Sequence, residues 1–230
     1  MWVVDLGRSF FCLNMAQNNS LGLLYRAYHE AGHVAAMAFT AQGFEQIVEV
    51  NVIASKRFLG VVRSRGINYA RNLNLVPIQD QPTMARREAI WLLAGSAAEA
   101  KFEGVKFDVE QLAEEYVTCE DDGGEAIDMV GTDINIVGSM ADKVSRRYYP
   151  KWRLIHTWAG LTVELLEESD VWSCVEHFAK HLAKVGTISE NELEPFFAPI
   201  YMKGYESARW RRRLVLPSMA STERVKSTLR

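Results

Sequence analysis

The stretch Tyr28-His29-Glu30-Ala31-Gly32-His33-Val34 sets the reading of the whole chain. It is an H-E-x-x-H motif inside a run of small, apolar and helix-forming residues from Ala27 to Ala38. Residues four apart on a helix lie on one face, one turn above the other. His29 and His33 can therefore turn two imidazole nitrogens towards one metal ion. Glu30 stands beside them, where it can take a proton from water that the metal activates. Neutral imidazole suits zinc, and a zinc that does chemistry keeps three protein ligands and one open position. Two ligands are local, so the third has to come from elsewhere in the chain. Two histidines and a glutamate on an apolar helix are costly to bury unless something pairs them. That cost ranks the metal reading above a core helix with two hydrogen-bonded histidines.

Working outward, Asn18, Asn19 and Ser20 suit a helix start, and the spacing of Leu24, Tyr28, Ala31, Ala35 and Phe39 predicts a helix over 21–41, stopped near Gly43. The β-branched run Gln46 to Ile53 and the segment Phe58 to Arg63 predict a small β-hairpin or three-stranded sheet beside that helix. An open sheet edge there could pair with an extended peptide. Residues 66–83, with Pro77 and Pro82, read as a long loop.

A second helix is predicted over 84–103, with Ile90, Leu92, Leu93, Ala94, Ala97, Ala98 and Phe102 as its apolar face. Glu99 lies in the small-residue run of this helix and could support a metal-bound histidine, or cap, or form an ion pair. Residues 108–128 are strongly acidic and read as a solvated helix and loop; an EF-hand spacing is absent. Gly131-Thr132-Asp133-Ile134-Asn135 opens a further helix towards Tyr148. Chemistry alone leaves Glu99, Glu103, Asp128 and Asp133 as candidates for the third ligand. Helices follow over 151–168 and 170–185, and Ser189-Glu190-Asn191-Glu192 is a capping box that starts a last short helix towards Phe197. His177 and His181 are four apart but have no glutamate between them, and read as ordinary partly exposed residues; His156 has no partner in the sequence pattern.

The 230 residues, 48% hydrophobic with a net charge of −3, suffice for one sizeable core and carry no general attraction for nucleic acid or membranes. The three cysteines, Cys12, Cys119 and Cys174, are scattered and form no C-x-x-C, which points to a reducing cytoplasm. No apolar run reaches the ~18 residues that span a bilayer. Walker A and G-x-S-x-G patterns are absent. The basic segment Arg209-Trp210-Arg211-Arg212-Arg213 and the residues after it read as a tail rather than a nucleic-acid surface.

Taken together these residues resemble the zinc peptidase domain of FtsH-type membrane AAA proteases. Tyr28 to His33 is similar to that family's H-E-A-G-H segment, and Leu59-Gly60-Val61 to its A-L-G-like turn. Leu93 to Glu99 is similar to its L-G-G-R-A-A-E-E helix, with Ser96 in place of the arginine and Ala100 in place of the second glutamate. Gly131-Thr132-Asp133-Ile134 resembles its S-N-D segment. The resemblance covers about residues 21–148, with a fainter echo to Phe197. It implies His29, His33 and Asp133 as ligands of one zinc ion per chain and Glu30 as catalytic base. It also implies a mainly α domain with a small sheet beside the motif helix.

The resulting expectation is an N-terminal extension (1–20), a zinc metallopeptidase-like domain (21–200) and a basic tail (201–230). Its activity would be ATP-independent cleavage of unfolded or extended polypeptides. A homo-oligomer and an ATPase partner acting in trans are both compatible with it. The alternative is a non-hydrolytic module that keeps the zinc as a structural pin.

Overall fold

The computed structural model describes residues 20–40, 44–53, 60–65, 73–118, 133–145 and 150–214. The described chain is mainly helical with a three-stranded antiparallel sheet. Helix α1 (Ser20–Thr40) carries the motif and is buried along almost its whole length from Arg26 onward. Its residues are small there, so neighbours can come close on every side. Helix α2 (Gln81–Glu103) crosses it where a β-carbon on Gly32 would collide with the Ala94 carbonyl oxygen and press on the Ala98 methyl at 2.8 Å. The glycine of the motif is therefore a packing requirement of the α1–α2 contact.

Strand β1 (Ile47–Asn51) lies between β2 (Val61–Ser64) and β3 (Thr187–Ser189). The register pairs Val50 with Val62 on one side and with Ile188 on the other, with a break in the β1–β2 ladder between Ile47 and Glu49. The sheet is tied to α1 by Arg26, whose buried guanidinium donates from Nε to the Val52 carbonyl at 2.7 Å. The return strand predicted over 58–63 is thus found at Val61–Ser64; residues 54–59 lie outside the described set. The third strand is only three residues long, too short for a pattern. It follows directly from Gly186, which ends the preceding helix at φ 78°, where side chains are strained.

Beyond the sheet, helices α3 (Val109–Thr118), α4 (Asp133–Val144), α5 (Lys151–Glu167) and α6 (Ser169–Val185) follow, then α7 (Glu190–Phe197). The capping box opens α7 as read: the Ser189 N–H donates to Glu192 Oε2 at 3.0 Å. Helix α2 begins at Gln81, three residues before the predicted Met84. Pro82 is accommodated in its first turn, where no backbone N–H is needed. Helix α4 ends at Val144, short of the predicted Tyr148; Gly131, Thr132 and 146–149 lie outside the described residues. Two apolar clusters meet at α2. One gathers α1, α6, the sheet and α7; the other gathers the first half of α2 with α4 and α5.

The expected basic tail needs correcting in its first part. Helices α8 (Lys203–Glu206) and α9 (Ala208–Leu214) fold back onto the core. Trp210 and Leu214, four apart, are buried there, with Trp210 edge-on to Phe39 at 5.2 Å. The arginines around Trp210 turn outward: Arg209 bridges Glu164 (3.2 Å) and Glu168 (3.1 Å), and Arg213 pairs with Glu164. Residues 1–19 and 215–230 lie outside the described set. No described helix is long and apolar enough to cross a membrane.

Candidate metal centre

Helices α1 and α4 flank α2, and their facing side chains converge. His29 and His33 project from α1, and Asp133, the first residue of α4, meets them. Asp133 Oδ2 lies 3.2 Å from His33 Nε2 and 3.7 Å from His29 Nε2. One donor atom from each of the three falls within 4.8 Å of the others, an arrangement that could hold a metal ion. His33 is buried, while His29 and Asp133 keep part of their surface, so the group is reached from the His29–Asp133 side.

The other ring nitrogen of each histidine faces away from this point. His33 Nδ1 lies 2.7 Å from the Trp91 backbone carbonyl. A carbonyl only accepts, so the proton sits on Nδ1 and the Nε2 lone pair is left for a metal. His29 Nδ1 lies 3.2 Å from Oε1 of buried Glu99. His33 thus has the hydrogen-bonded backing that orients a metal-bound imidazole, and His29 has a buried carboxylate behind it at ion-pair distance.

Room for an ion comes from Gly95. A β-carbon there would stand 2.6 Å from His33 Nε2 and 2.7 Å from His29 Nε2. The α2 backbone therefore forms one wall of the centre, and any side chain at 95 would occupy the space between the two nitrogens.

Glu30 is buried, and its carboxylate reaches Gly60, just before β2, where a β-carbon would collide with Oε1. Burial raises the Glu30 pKa, helped by the Asp133 and Glu99 charges and opposed by the two histidines. Burial disfavours the charged form of His29, but Glu99 and then Asp133 outweigh it and lift its pKa well above the ordinary value. The same balance, with Asp133 as the main partner, raises His33. For Asp133, burial works upward, but the two histidines overcome it and hold the carboxyl below the usual carboxylate range.

Of the four candidates for a third ligand, Asp133 joins the histidines. Glu99 backs His29 from behind. Glu103 accepts a hydrogen bond from the Tyr25 hydroxyl instead. Asp128 lies outside the described residues. His156 pairs with Glu110 at 3.0 Å on the surface, and His177 and His181 are exposed beside Phe196, away from this group. Sequence reasoning passed over the Trp91 carbonyl and Gly95. A backbone acceptor leaves no trace in a sequence, and a glycine among small residues reads as ordinary helix packing. No protein-family model matches the chain, and no curated protein matches it in sequence.

Proposed function

We propose that the protein is a zinc-dependent metallopeptidase that hydrolyses unfolded or extended polypeptides without ATP. The observation that carries this reading is the His29–His33–Asp133 group with the buried Glu30 carboxylate on the same helix. Donors around a tetrahedral zinc with ~2.0–2.1 Å bonds stand about 3.3 Å apart, and the 3.2 and 3.7 Å separations here fit that ion. Two nitrogens and one carboxylate oxygen are also a donor set that zinc accepts. Zinc held there would polarise a scissile carbonyl and lower the pKa of a water towards ~7.

The chain's own residues supply the rest. Glu30, with its proton affinity raised by burial, is suited to take a proton at Oε1 or Oε2 and return it to the leaving amine. Asp133 keeps its negative charge at any working pH, which a ligand to a cation must do. Among the described residues β2 is an edge strand, paired with β1 alone. Such an edge can add one extended segment of substrate, and Gly60 brings the start of the strand against the Glu30 carboxylate. An extended strand is the form a folded substrate cannot offer, hence the preference for unfolded chains.

A closed structural zinc site needs four protein ligands, and the group found among the described residues has three. This favours catalysis over the non-hydrolytic module. The test is hydrolysis of casein without ATP by wild type and Glu30→Gln, each with its zinc content measured. Turnover in wild type that disappears in the zinc-loaded variant supports the peptidase. Equal turnover in both removes Glu30 from the chemistry and overturns the proposal. Loss of zinc in Asp133→Ala is expected alongside; full occupancy there would remove Asp133 from the ligand set.

A further inference from the structure

One buried carboxylate near the metal centre belongs to none of the roles above. Glu88 lies in the first half of α2 and is 4% exposed. A carboxylate so placed is costly unless it is bonded. Glu88 Oε2 accepts the indole Nε1–H of Trp91 at 3.1 Å, one helical turn further on.

Trp91 in turn meets His33 at two points. Its backbone carbonyl accepts the His33 Nδ1–H at 2.7 Å. Its ring meets the imidazole edge-on, with centroids 5.7 Å apart and planes at 75°. The first contact sets which nitrogen of His33 carries the proton. The second sets the plane of the ring, and so the direction of the Nε2 lone pair. The carbonyl is held by the α2 backbone itself, but the indole is a side chain with two torsions. The Glu88 hydrogen bond is what restrains those torsions at the polar end of the ring.

We infer that Glu88 is a positioning residue that acts through Trp91 to hold His33 Nε2 on the metal. This rests on His29, His33 and Asp133 being a metal site, though not on hydrolysis. Ligand orientation of this kind changes metal affinity by about 10–100-fold. An apolar or truncated residue at 88 leaves the three ligands in place and frees the indole. Glutamine keeps an acceptor oxygen for the indole N–H.

The experiment uses cobalt(II) as the probe, because its visible absorption reports ligand geometry directly. Cobalt titrations of wild type, Glu88→Ala, Glu88→Gln and Trp91→Phe give an affinity and a spectrum for each. Circular dichroism of the metal-free proteins controls for folding. The expected result is about 10–100-fold weaker binding with altered visible bands in Glu88→Ala, and both restored towards wild type in Glu88→Gln. Trp91→Phe keeps the ring contact and the carbonyl but has no N–H for Glu88, so its bands should shift as in Glu88→Ala. Wild-type spectrum and affinity in Glu88→Ala would overturn the inference while leaving the metal site intact. Absence of cobalt binding to wild type would overturn the metal reading and this inference with it. Should Glu88→Ala not fold, Trp91→Phe against Glu88→Gln decides: identical bands in both would equally overturn it.

Discussion

In the proposed metal centre, Gly95 matters through an atom that is not there. Its β-carbon position lies within 2.7 Å of Nε2 of both His29 and His33, so on the proposed reading Gly95→Ala should keep its helical fold by circular dichroism and lose metal on dialysis. Metal retained at one equivalent would show that the ion sits elsewhere. The histidines make a second prediction at this scale. In the metal-free protein both titrate above the ordinary histidine value of about 6.5. A group whose folded pKa is raised stabilises the fold fully below its unfolded pKa, and that stability is lost as the pH rises through the folded pKa. The chelator-treated protein should therefore weaken as the pH climbs above about 6.5. Asp133 works the other way: its pKa is depressed, so its contribution is lost only in strong acid, outside this window. Bound metal replaces the two protons, so the metal-loaded protein is spared that loss. Urea midpoints with zinc and with EDTA should separate further as the pH is raised; a gap that stays constant would contradict the assignment.

At the scale of elements, the C-terminal helices are the clearest departure from a reading by composition. Five residues, Arg209 to Arg213, look like a solvated basic run, yet the one apolar residue among them decides their place. Trp210 is 2% exposed and its Nε1–H donates to Glu168 at 2.9 Å. Trp210→Ala should lower unfolding stability by roughly 3–5 kcal/mol, the usual cost of emptying a core tryptophan site, measured by urea denaturation. A loss under ~0.5 kcal/mol, typical of a surface position, would show that α9 does not dock in solution. Arg86 reinforces the same contact, since its guanidinium donates to the Arg213 carbonyl at the end of α9. A seven-residue helix spans only two turns, so its apolar stripe is two residues long and cannot be told from chance in a sequence.

Across the whole molecule, the candidate metal group joins parts of the chain that the sequence keeps far apart. His29 and His33 lie on α1 and Asp133 opens α4, with α2 between them. An ion bound by all three ties the two apolar clusters together. Binding to the folded state alone stabilises by about 2.7 kcal/mol at a free metal concentration of 100 times Kd. Zinc should therefore raise the melting temperature of wild type, EDTA should lower it, and Asp133→Ala should respond to neither. A melting temperature in wild type that ignores zinc would exclude a site shared between α1 and α4.

The H-E-x-x-H motif, the predominance of helices, the hairpin and the capping box at Ser189 were legible in the sequence because each depends on contacts within one or two turns of chain. Helical spacing alone brings His29 and His33 to one face, and β-branched content marks β1. The third member of the metal group was not legible from chemistry: Glu99, Glu103, Asp128 and Asp133 are equivalent as carboxylates. Packing separates those that are described, because α2 turns Glu99 towards Nδ1 of His29 and Glu103 towards Tyr25, while α4 begins with Asp133 against both Nε2 atoms. The same holds for Gly95, the Trp91 carbonyl and the docking of Trp210. Their roles are distances across helix crossings, and a distance between elements exists only after the core has set how those elements pack.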